Sequence, residues 1–477
     1  MITMLGSARR SCDGTTRRET LKVGALSLLG GFFNLPSLLA LEQQRKPGQR
    51  RGKAKSVILL YLQGGPATQD MFDMKEGAKS EFKPVATSAP GVQICEHLPK
   101  MARWMHKACI VRSAFHKGIC HSNLPMYTGF DDVRDEKPRN TDSPSMGSVC
   151  MYAEEKGVLK KQSGRLPSYI YLPCPLGWGE ATRKAGPHGG FLGQRYNPLY
   201  TECTAYVDRP MKESDDMQVV RGVPLFRGAE LPGDMTIDRL DSRRSLLQQL
   251  DGKMRGVDAT RPFAGTQGLG FDFLKSAEVR RAFDLKQEPD AVRHRYGDSL
   301  FGNSTLLARR LVERGVRFVN VSWDNFRERF EFPPSNQVWD THKRNFPILK
   351  ENHLPHLDQV YSALMEDLQQ RGLLDETLVV MMGEMGRTPK INENGGRDHW
   401  TFCYSVVLAG AGIRGGMTYG ASDKEAAYVK DKPARIRDIC ATIYSCLGID
   451  PDMPVYDQGG RPMPVANGGT PLTEILA

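Results

Sequence analysis

Short apolar runs alternate with amphipathic helical patterns along most of the chain, and this alternation constrains the fold more than any other feature. Residues 57–62 form a continuous apolar run that stops at a Gly-Gly-Pro turn, which is typical of a strand buried on both faces. Residues 354–368 place apolar side chains on one helical face, and Gly372 follows as a stop signal. Similar patterns predict strands at 109–111, 169–172, 316–322, 377–382 and 405–408, and helices at 304–314 and 434–447. We therefore predict an α/β fold with a doubly wound, mainly parallel sheet of at least six strands.

One region interrupts this alternation. Residues 175–300 are rich in Gly, Pro and charged side chains, and their periodicity is weaker than that of their surroundings. We predict that they form an irregular insertion or cap. The remainder is predicted to build one compact domain, which spans residues 57–477.

The body of the chain is close to electrical neutrality, although the formal net charge of the whole is +10. The first 53 residues carry +7 of that charge, which leaves +3 for the rest. Nucleic acid is therefore not predicted as a partner. The ten cysteines stand singly, without a Cys-x-x-Cys pair, so neither a disulfide framework nor a thiolate zinc site is predicted. A disulfide stays open only for Cys440 and Cys446.

The first 41 residues resemble a twin-arginine signal peptide. Arg17 and Arg18 precede Lys22, and a mildly apolar stretch without charges follows at 23–41. That stretch is short for the ~30 Å hydrocarbon core of a bilayer. The resemblance implies export by the twin-arginine translocation machinery to the periplasm or the cell exterior, and residues 42–56 are predicted to be a linker. Cleavage after Ala40 and retention as an uncleaved membrane anchor both stay open.

Carboxylates and histidines follow several of the predicted strands, at the edge where α/β sheets build their sites. Imidazoles and carboxylates are ligands of Zn²⁺, Mn²⁺, Ca²⁺ and Mg²⁺. For each polar cluster taken alone, a structural role is the alternative. Because the fold would bring the separate clusters together, we predict a divalent metal site, with the identity and the number of the ions open. Its predicted ligands are Asp70, Asp340, His342, Glu384 and His399.

Two late motifs are similar to the signature of an exported bacterial family, domain of unknown function 1501. They are Gly-Glu-Met-Gly-Arg-Thr-Pro at 383–389 and Gly-Arg-Asp-His-Trp at 396–400, with further matches at 63–73 and 339–342. The resemblance covers essentially the whole chain after the leader. It implies an alkaline phosphatase-like fold and a place in the alkaline phosphatase and sulfatase superfamily. In that superfamily one or two divalent metals activate a Ser, Thr or formylglycine nucleophile at the start of a helix.

The resemblance also implies roles for single residues. Glu384 takes the place of a ligand aspartate, and Met385 stands where relatives carry a histidine ligand. The counterparts of the remaining ligands are Asp70, Asp340, His342 and His399.

The candidate nucleophiles are Ser143 and Ser145, in a segment that resembles both the Asp-Ser of phosphatases and the Ser-Pro-Ser of sulfatases. Unpaired N–H groups at a helix start, and a neighbouring metal, would acidify such a serine. Met146 stands where sulfatases have arginine, and no cysteine is followed by the x-Pro-x-Arg that formylglycine formation needs. A helix cap is therefore the alternative role of both serines.

Two further residues complete the predicted site. His121 is a candidate ligand or general acid, with a structural histidine as the alternative. Arg387 is a candidate partner for a phosphate or sulfate oxygen, with a salt bridge to Glu384 as the alternative.

These residues predict an exported, metal-dependent hydrolase of a sulfate or phosphate ester, with a glycan or a small molecule as substrate. The alternative is a catalytically degenerate relative that keeps the fold and binds a cell-surface or periplasmic polymer. The histidine replaced by Met385 favours the alternative, whereas a serine close to the ion would favour the enzyme. A real site requires Asp340, His342, Glu384 and His399 to lie within roughly 8 Å of one common point, given metal–ligand bonds of about 2.0–2.6 Å.

Overall fold

The computed structural model describes residues 52–118, 121–131, 137–164, 166–177, 183–208, 218–226, 276–323 and 338–477. The predicted signal peptide, most of the predicted linker and parts of the predicted insertion lie outside these residues. Among the helices described, none combines the length and the apolar character that a membrane crossing requires.

A nine-stranded sheet forms the centre of the described residues. Its strands in chain order are β1 (Ser56–Leu62), β2 (Ala108–Phe115), β3 (Tyr169–Leu172), β4 (Leu199–Tyr200), β5 (Phe318–Trp323), β6 (Thr377–Met382), β7 (Tyr404–Gly410), β8 (Met417–Tyr419) and β9 (Ala434–Arg435). The order across the sheet is β8-β2-β7-β6-β1-β5-β3-β4, and β9 also pairs with β2. Only β7 of these nine runs antiparallel to its neighbours. The predicted mainly parallel sheet is confirmed.

Four helices of ten or more residues lie in the described part: α1 (Met146–Glu155), α2 (Leu300–Glu313), α3 (Leu354–Gln370) and α4 (Ile436–Leu447). Alternate residues of β1 face different helices, because side chains of a strand alternate between its faces. Ile58 and Leu60 pack in a core with α2 and α3, whereas Val57 and Leu59 pack in a core with α1 and α4. Helices thus cover both faces of the sheet, as predicted.

Element boundaries depart from the sequence expectations by a few residues. The strand expected at 109–111 extends over Ala108–Phe115, and the helix expected at 304–314 begins at Leu300. Ser299 explains the earlier start, because its side chain accepts a hydrogen bond from the backbone N–H of Gly302 at 3.0 Å and so caps the helix. Cys440 and Cys446 are both free thiols.

Shorter α-helices and two-stranded sheets lie between and after these elements. The helices are Pro99–Ala102, Leu124–Thr128, Ala277–Phe283, Asp290–Tyr296 and Asn345–Ile348, the last joined to α3 by a π-helical turn at Leu349–His353. The two-stranded sheets pair Pro84–Ala86 with Gln93–Cys95, Glu202–Cys203 with Pro224–Leu225, Gly386–Ile391 with Arg397–Trp400, Ala421–Ser422 with Val429–Asp431, and Pro454–Tyr456 with Pro462–Pro464.

The sheet brings three polar segments to one edge. Because β1 pairs in parallel with both β5 and β6, the residues that follow these strands emerge side by side. The pair of strands Gly386–Ile391 and Arg397–Trp400, called the site hairpin from here on, comes directly after β6. The candidate site lies where these segments meet.

Candidate metal centre

Two glycines allow the backbone at Asp340–His342 to pass between the turn after β1 and the site hairpin. A Cβ at Gly64, whose φ is +108°, would lie 2.5 Å from the backbone nitrogen of Asp340. A Cβ at Gly396 would lie 2.0 Å from the backbone carbonyl carbon of His342. Both approaches are too close for any side chain. The two glycine motifs of the sequence therefore serve to position Asp340 and His342.

Three histidines surround the carboxylate of Asp340. Its Oδ1 lies 3.1 Å from Nε2 of both His342 and His399, and its Oδ2 lies 3.3 Å from Nε2 of His121. One ligand atom each from His121, Asp340 and His399 can be chosen so that all three lie within 4.8 Å of one another. The structure thus brings together Asp340, His342 and His399, which were predicted as ligands, and His121, for which ligation was one of two predicted roles.

Glu384 orients His121 at this centre. Glu384 follows β6 and is almost fully buried, and its Oε1 accepts hydrogen bonds from the backbone N–H of Gly64 at 2.8 Å and from Nδ1 of His121 at 3.0 Å. This contact leaves Nε2 of His121 directed at Asp340. His121 also has a φ of 58°, a conformation that costs free energy for a residue with a side chain. Glu384, predicted as a ligand, therefore supports His121 in this structure.

Asp398 supports His342 in the same way. Its Oδ1 lies 2.9 Å from Nδ1 of His342 and also accepts a hydrogen bond from Asn392 at 3.1 Å. A carboxylate that accepts the Nδ1 proton leaves the Nε2 lone pair free for a cation. That Nε2 lies 2.8 Å from Nε2 of His399, an approach that requires either a proton on one nitrogen or a cation that both nitrogens bind. Sequence reasoning missed Asp398, although it directly precedes His399.

The surroundings of Asp340 keep it ionised. Burial alone would raise the pKa of Asp340, but hydrogen bonds from its three histidines and the charge of Arg387 hold it well below its usual range. Burial acts against protonation of His121, yet the two neighbouring carboxylates raise its pKa to about 10. The hydrogen bond to Asp340 raises the pKa of His342, whereas burial lowers that of His399.

Arg387 positions the carboxylate of Asp340 through an ion pair. It is fully buried on the site hairpin, and its guanidinium donates to the carbonyl oxygens of Gly65 at 2.7 Å and Arg397 at 3.1 Å. It also donates to the carbonyl oxygen of Gly64 and to the carboxylate of Asp340. Four of the five N–H groups of an arginine are thereby engaged. Arg387, predicted to hold an ester oxygen, instead lies behind Asp340.

Asp70 lies outside the cluster. Its carboxylate is fully buried in a two-pronged ion pair with Arg397, with Oδ2 2.8 Å from Nε and Oδ1 2.8 Å from Nη2. Asn345 donates to Oδ2 at 2.9 Å. The predicted ligand is therefore occupied by protein donors, and it ties the residues after β1 to the site hairpin.

The two candidate nucleophiles lie at the start of α1. Ser145 is fully buried and caps this helix: its Oγ lies 3.4 Å from the backbone N–H of Ser148 and 2.8 Å from the Oγ of Ser148. Ser143 is half-buried two residues before it. Within the described residues, no hydrogen bond joins either serine to Asp340 or its histidines. For Ser145 the cap role, given as the alternative, is the one that the contacts display.

The donors around Asp340 fit a divalent cation. One carboxylate and several imidazole Nε2 atoms form a mixed oxygen and nitrogen set, which suits Zn²⁺ and Mn²⁺ better than Ca²⁺ or Mg²⁺, whose sites are built from oxygen. Carboxylates behind two of the histidines add the outer contacts that metal-binding histidines usually make. His121, Asp340, His342 and His399 are accordingly the residues able to hold an ion.

Comparisons with known proteins place the chain in a family. Residues 54–476 match the model of the family described as "Protein of unknown function (DUF1501)". No curated protein matches the sequence.

Several solved structures are similar in fold. The PsFucS1 sulfatase from Pseudoalteromonas sp. is 13% identical with a TM-score of 0.38, over 92% of this chain and 73% of that one. The phosphonate monoester hydrolase SpPMH from Silicibacter pomeroyi is 14% identical with a TM-score of 0.36, over 88% and 76%. A protein in the alkaline phosphatase superfamily from Vibrio parahaemolyticus is 12% identical with a TM-score of 0.35, over 90% and 72%. At such low values the function has to be argued from the site itself.

Proposed function

This chain belongs to the DUF1501 family, and from that premise we propose that it is an exported, metal-dependent hydrolase of a sulfate or phosphate ester. One observation carries the proposal: Nε2 atoms of three histidines approach the carboxylate of Asp340 within 3.3 Å at the edge of a mainly parallel sheet. Arg387 already supplies the positive charge that a structural ion pair with Asp340 requires. The imidazoles of His121 and His342 are each backed by a carboxylate at Nδ1, so their Nε2 atoms are suited to binding a metal together with Asp340.

The residues of the chain divide into ligands and supports. Asp340, His121, His399 and His342 would hold the ion. When bound, a divalent ion polarises ester oxygens and lowers the pKa of a coordinated water or hydroxyl group. Against the effect of burial, hydrogen bonds from the three histidines and the charge of Arg387 hold the pKa of Asp340 below its usual range, so that it offers a carboxylate to a metal at neutral pH.

The two outer carboxylates act through the histidines. Glu384 fixes His121 and Asp398 fixes His342, in each case through Nδ1, so that both Nε2 atoms face the metal position. We assign both as positioning residues and not as ligands. In this arrangement Glu384 and Asp398 do not bind the ion but set the orientation of two of its imidazole ligands.

The attacking group is either Ser143 or water. Ser145 engages its hydroxyl in the helix cap, so we do not propose it as the nucleophile. Attack needs a group in line with the ester bond and a donor for the charge that develops. Substitution of Ser143 decides between the serine and water.

The test is hydrolysis by metal-depleted protein reloaded with single ions. We expect Zn²⁺ or Mn²⁺ to restore turnover of 4-nitrophenyl sulfate or 4-nitrophenyl phosphate, and His399→Ala to abolish it. His106→Ala, at an exposed histidine outside the cluster, is the matched control and should retain turnover. Ser143→Ala separates a serine nucleophile from water. Absence of turnover with Zn²⁺, Mn²⁺, Mg²⁺ and Ca²⁺ would leave the polymer-binding alternative.

Export has a separate test. We propose that the twin-arginine pair Arg17 and Arg18 directs the folded protein across the membrane. Replacement of both by lysine should leave the precursor in the cytoplasm, as followed by cell fractionation. Continued export of that variant would refute this part of the proposal without affecting the metal centre.

A further inference from the structure

Three aromatic side chains, one half-buried and two exposed, form a cluster that includes the last residue of the site hairpin. They are Trp400, Phe402 and Tyr428, called the aromatic surface from here on. Their ring centroids lie 4.9 Å (Trp400–Phe402), 5.4 Å (Trp400–Tyr428) and 5.8 Å (Phe402–Tyr428) apart. Phe402 is 50% exposed and Tyr428 is 52% exposed. Contiguous exposed apolar groups of this kind usually mark a binding surface.

The rings stand on a well-anchored support. The indole Nε1 of Trp400 donates to the carbonyl oxygen of Ala427 at 2.5 Å. The carboxylate of Asp423 accepts backbone N–H groups of Ala427 at 2.8 Å and Tyr428 at 3.2 Å. These bonds fix the loop that carries Tyr428 against the strand that carries Trp400. The apolar surface is thus held in place before any ligand arrives, which lowers the entropy lost on binding.

The aromatic surface is linked to the proposed metal centre through Asp398, which shares a face of the site hairpin with Trp400, whereas His399 points to the opposite face. In a strand, residues two apart point to the same face, roughly 7 Å from each other. Asp398 and Trp400 are such a pair on Arg397–Trp400. Asp398 holds Nδ1 of His342 at 2.9 Å and is itself 55% exposed. A ligand on the rings therefore lies next to the Asp398–His342 pair.

We propose that the aromatic surface binds the sugar rings of a polysaccharide whose sulfate or phosphate ester reaches the metal centre. This inference rests on the proposed function and names its substrate class. Pyranose rings present flat C–H faces that pack on aromatic rings, and their hydroxyl groups need polar partners at the rim. The exposed carboxylate of Asp398 supplies such a partner between the rings and His342.

The geometry argues against a cationic ligand. An aromatic cage encloses an ammonium group between its rings. Here the centroid separations of 4.9–5.8 Å are contact distances, so the rings fill the space between themselves. Only the outer faces of the three aromatic rings are available to a ligand, and these faces suit a flat neutral ring.

The test compares a polymer with a small ester. We would measure binding of the metal-loaded full-length protein to dextran sulfate and to unsulfated dextran by affinity electrophoresis, and turnover of 4-nitrophenyl esters in parallel. The double variant Phe402→Ala/Tyr428→Ala should bind both polymers at least tenfold more weakly, with small-ester turnover changed less than twofold. Tyr456→Ala is the matched control, because Tyr456 is also 52% exposed but lies on Pro454–Tyr456.

Each outcome decides the proposal. Equal polymer binding by the double variant and by Tyr456→Ala overturns it. Loss of small-ester turnover together with polymer binding also overturns it, since the rings would then support the metal centre. If the parent protein hydrolyses no ester but binds polymer through the rings, the proposed function fails, while binding of sugar rings by the aromatic surface stands. If it hydrolyses esters and binds polymer without the rings, the reverse holds.

Discussion

Asp70 and Asp340 each form an ion pair with an arginine of the site hairpin, yet their surroundings differ. Arg397 of the site hairpin pairs with Asp70, and Arg387 of the opposite strand pairs with Asp340. The side chain of Asp70 is fully buried, and both of its oxygens are engaged by Arg397 and Asn345. The side chain of Asp340 is 26% exposed and has three histidines around it.

The difference separates a structural carboxylate from a functional one. A buried carboxylate paired with arginine is neutralised by a group that keeps its proton at every physiological pH. A carboxylate among imidazoles has neighbours that bind either protons or metals, and solvent access lets ligands exchange. Sequence position at a strand end is common to both. The chemical type of the partners, and not the location of the acid, distinguishes them.

The largest effect should come from Asp340→Asn. This carboxylate is in direct contact with three histidines. In the presence of the ion that restores turnover, we therefore expect kcat/KM for the ester to fall at least about a thousandfold, which corresponds to roughly 4 kcal/mol of transition-state stabilisation. Steady-state kinetics and metal analysis measure it. Retention of a full metal equivalent with unchanged rate would remove Asp340 from the site.

Asp70→Asn should show the opposite pattern. Removal of one partner of a buried ion pair leaves Arg397 unpaired, so the free energy of unfolding should fall by about 3–5 kcal/mol. Metal content of the folded variant should be retained. Chemical denaturation measures the effect, and Glu376→Gln, at the exposed Lys55–Glu376 pair, is the control with an expected change below about 1 kcal/mol. Loss of metal without loss of stability would make Asp70 a ligand after all.

A buried histidine extends the comparison from acids to imidazoles. His353 lies between Trp323 and Trp339 and donates from Nε2 to the carbonyl oxygen of Val338, and burial lowers its pKa to about 4. The unfolded chain, with a histidine pKa near 6.5, binds the proton more strongly. His353 therefore contributes stability that is complete above about pH 6.5 and is lost as the pH falls towards 4, by roughly 3 kcal/mol in total.

The measurement is the free energy of unfolding of the parent and of His353→Asn between pH 4 and 7. The parent should lose more stability than the variant over this interval, because only the parent has to keep this imidazole neutral. If the free energy of unfolding changed equally with pH in the parent and the variant, His353 would take up its proton in the folded state without cost. Burial would then not distinguish His353 from the histidines around Asp340.

Glu384→Gln should produce a smaller effect on the metal centre. The amide oxygen still accepts from Nδ1 of His121, but the negative charge behind the imidazole is lost. Outer carboxylates of this kind affect metal affinity by about 10–100-fold. We expect the dissociation constant of the restoring ion to rise within that range, measured by competition with a chelating dye. An unchanged constant would mean that His121 needs no carboxylate behind it.

How far the sequence predicts this molecule can be judged from particular residues. The sheet was predictable, because β1 is apolar throughout and α3 has one apolar face, and these are local patterns. The approach of Asp340 and His342 to His399 was predictable from strand ends. Arg397 is 327 positions from Asp70 in the chain, and His121 is 263 positions from Glu384. No local pattern reports such partners. At Met385 the resemblance implies a missing histidine ligand. The structure places another imidazole at the centre, that of His121, which comes from a segment after β2.

Asp398→Asn should have the smallest effect on metal affinity, and it tests whether burial separates the two supporting carboxylates. Asp398 supports His342 as Glu384 supports His121, but Asp398 is 55% exposed and Glu384 is 1% exposed. Water can replace an exposed acceptor, and solvent screens its charge. We therefore expect the metal dissociation constant to rise only about two- to fivefold, well below the change for Glu384→Gln. Competition with the same dye, at low and high salt, measures both variants. Since screening reduces only the exposed interaction, the effect of Asp398→Asn should shrink at high salt while that of Glu384→Gln persists. Equal effects with equal salt dependence would show that burial does not separate the two supports, and that His342 contributes to the metal centre as strongly as His121.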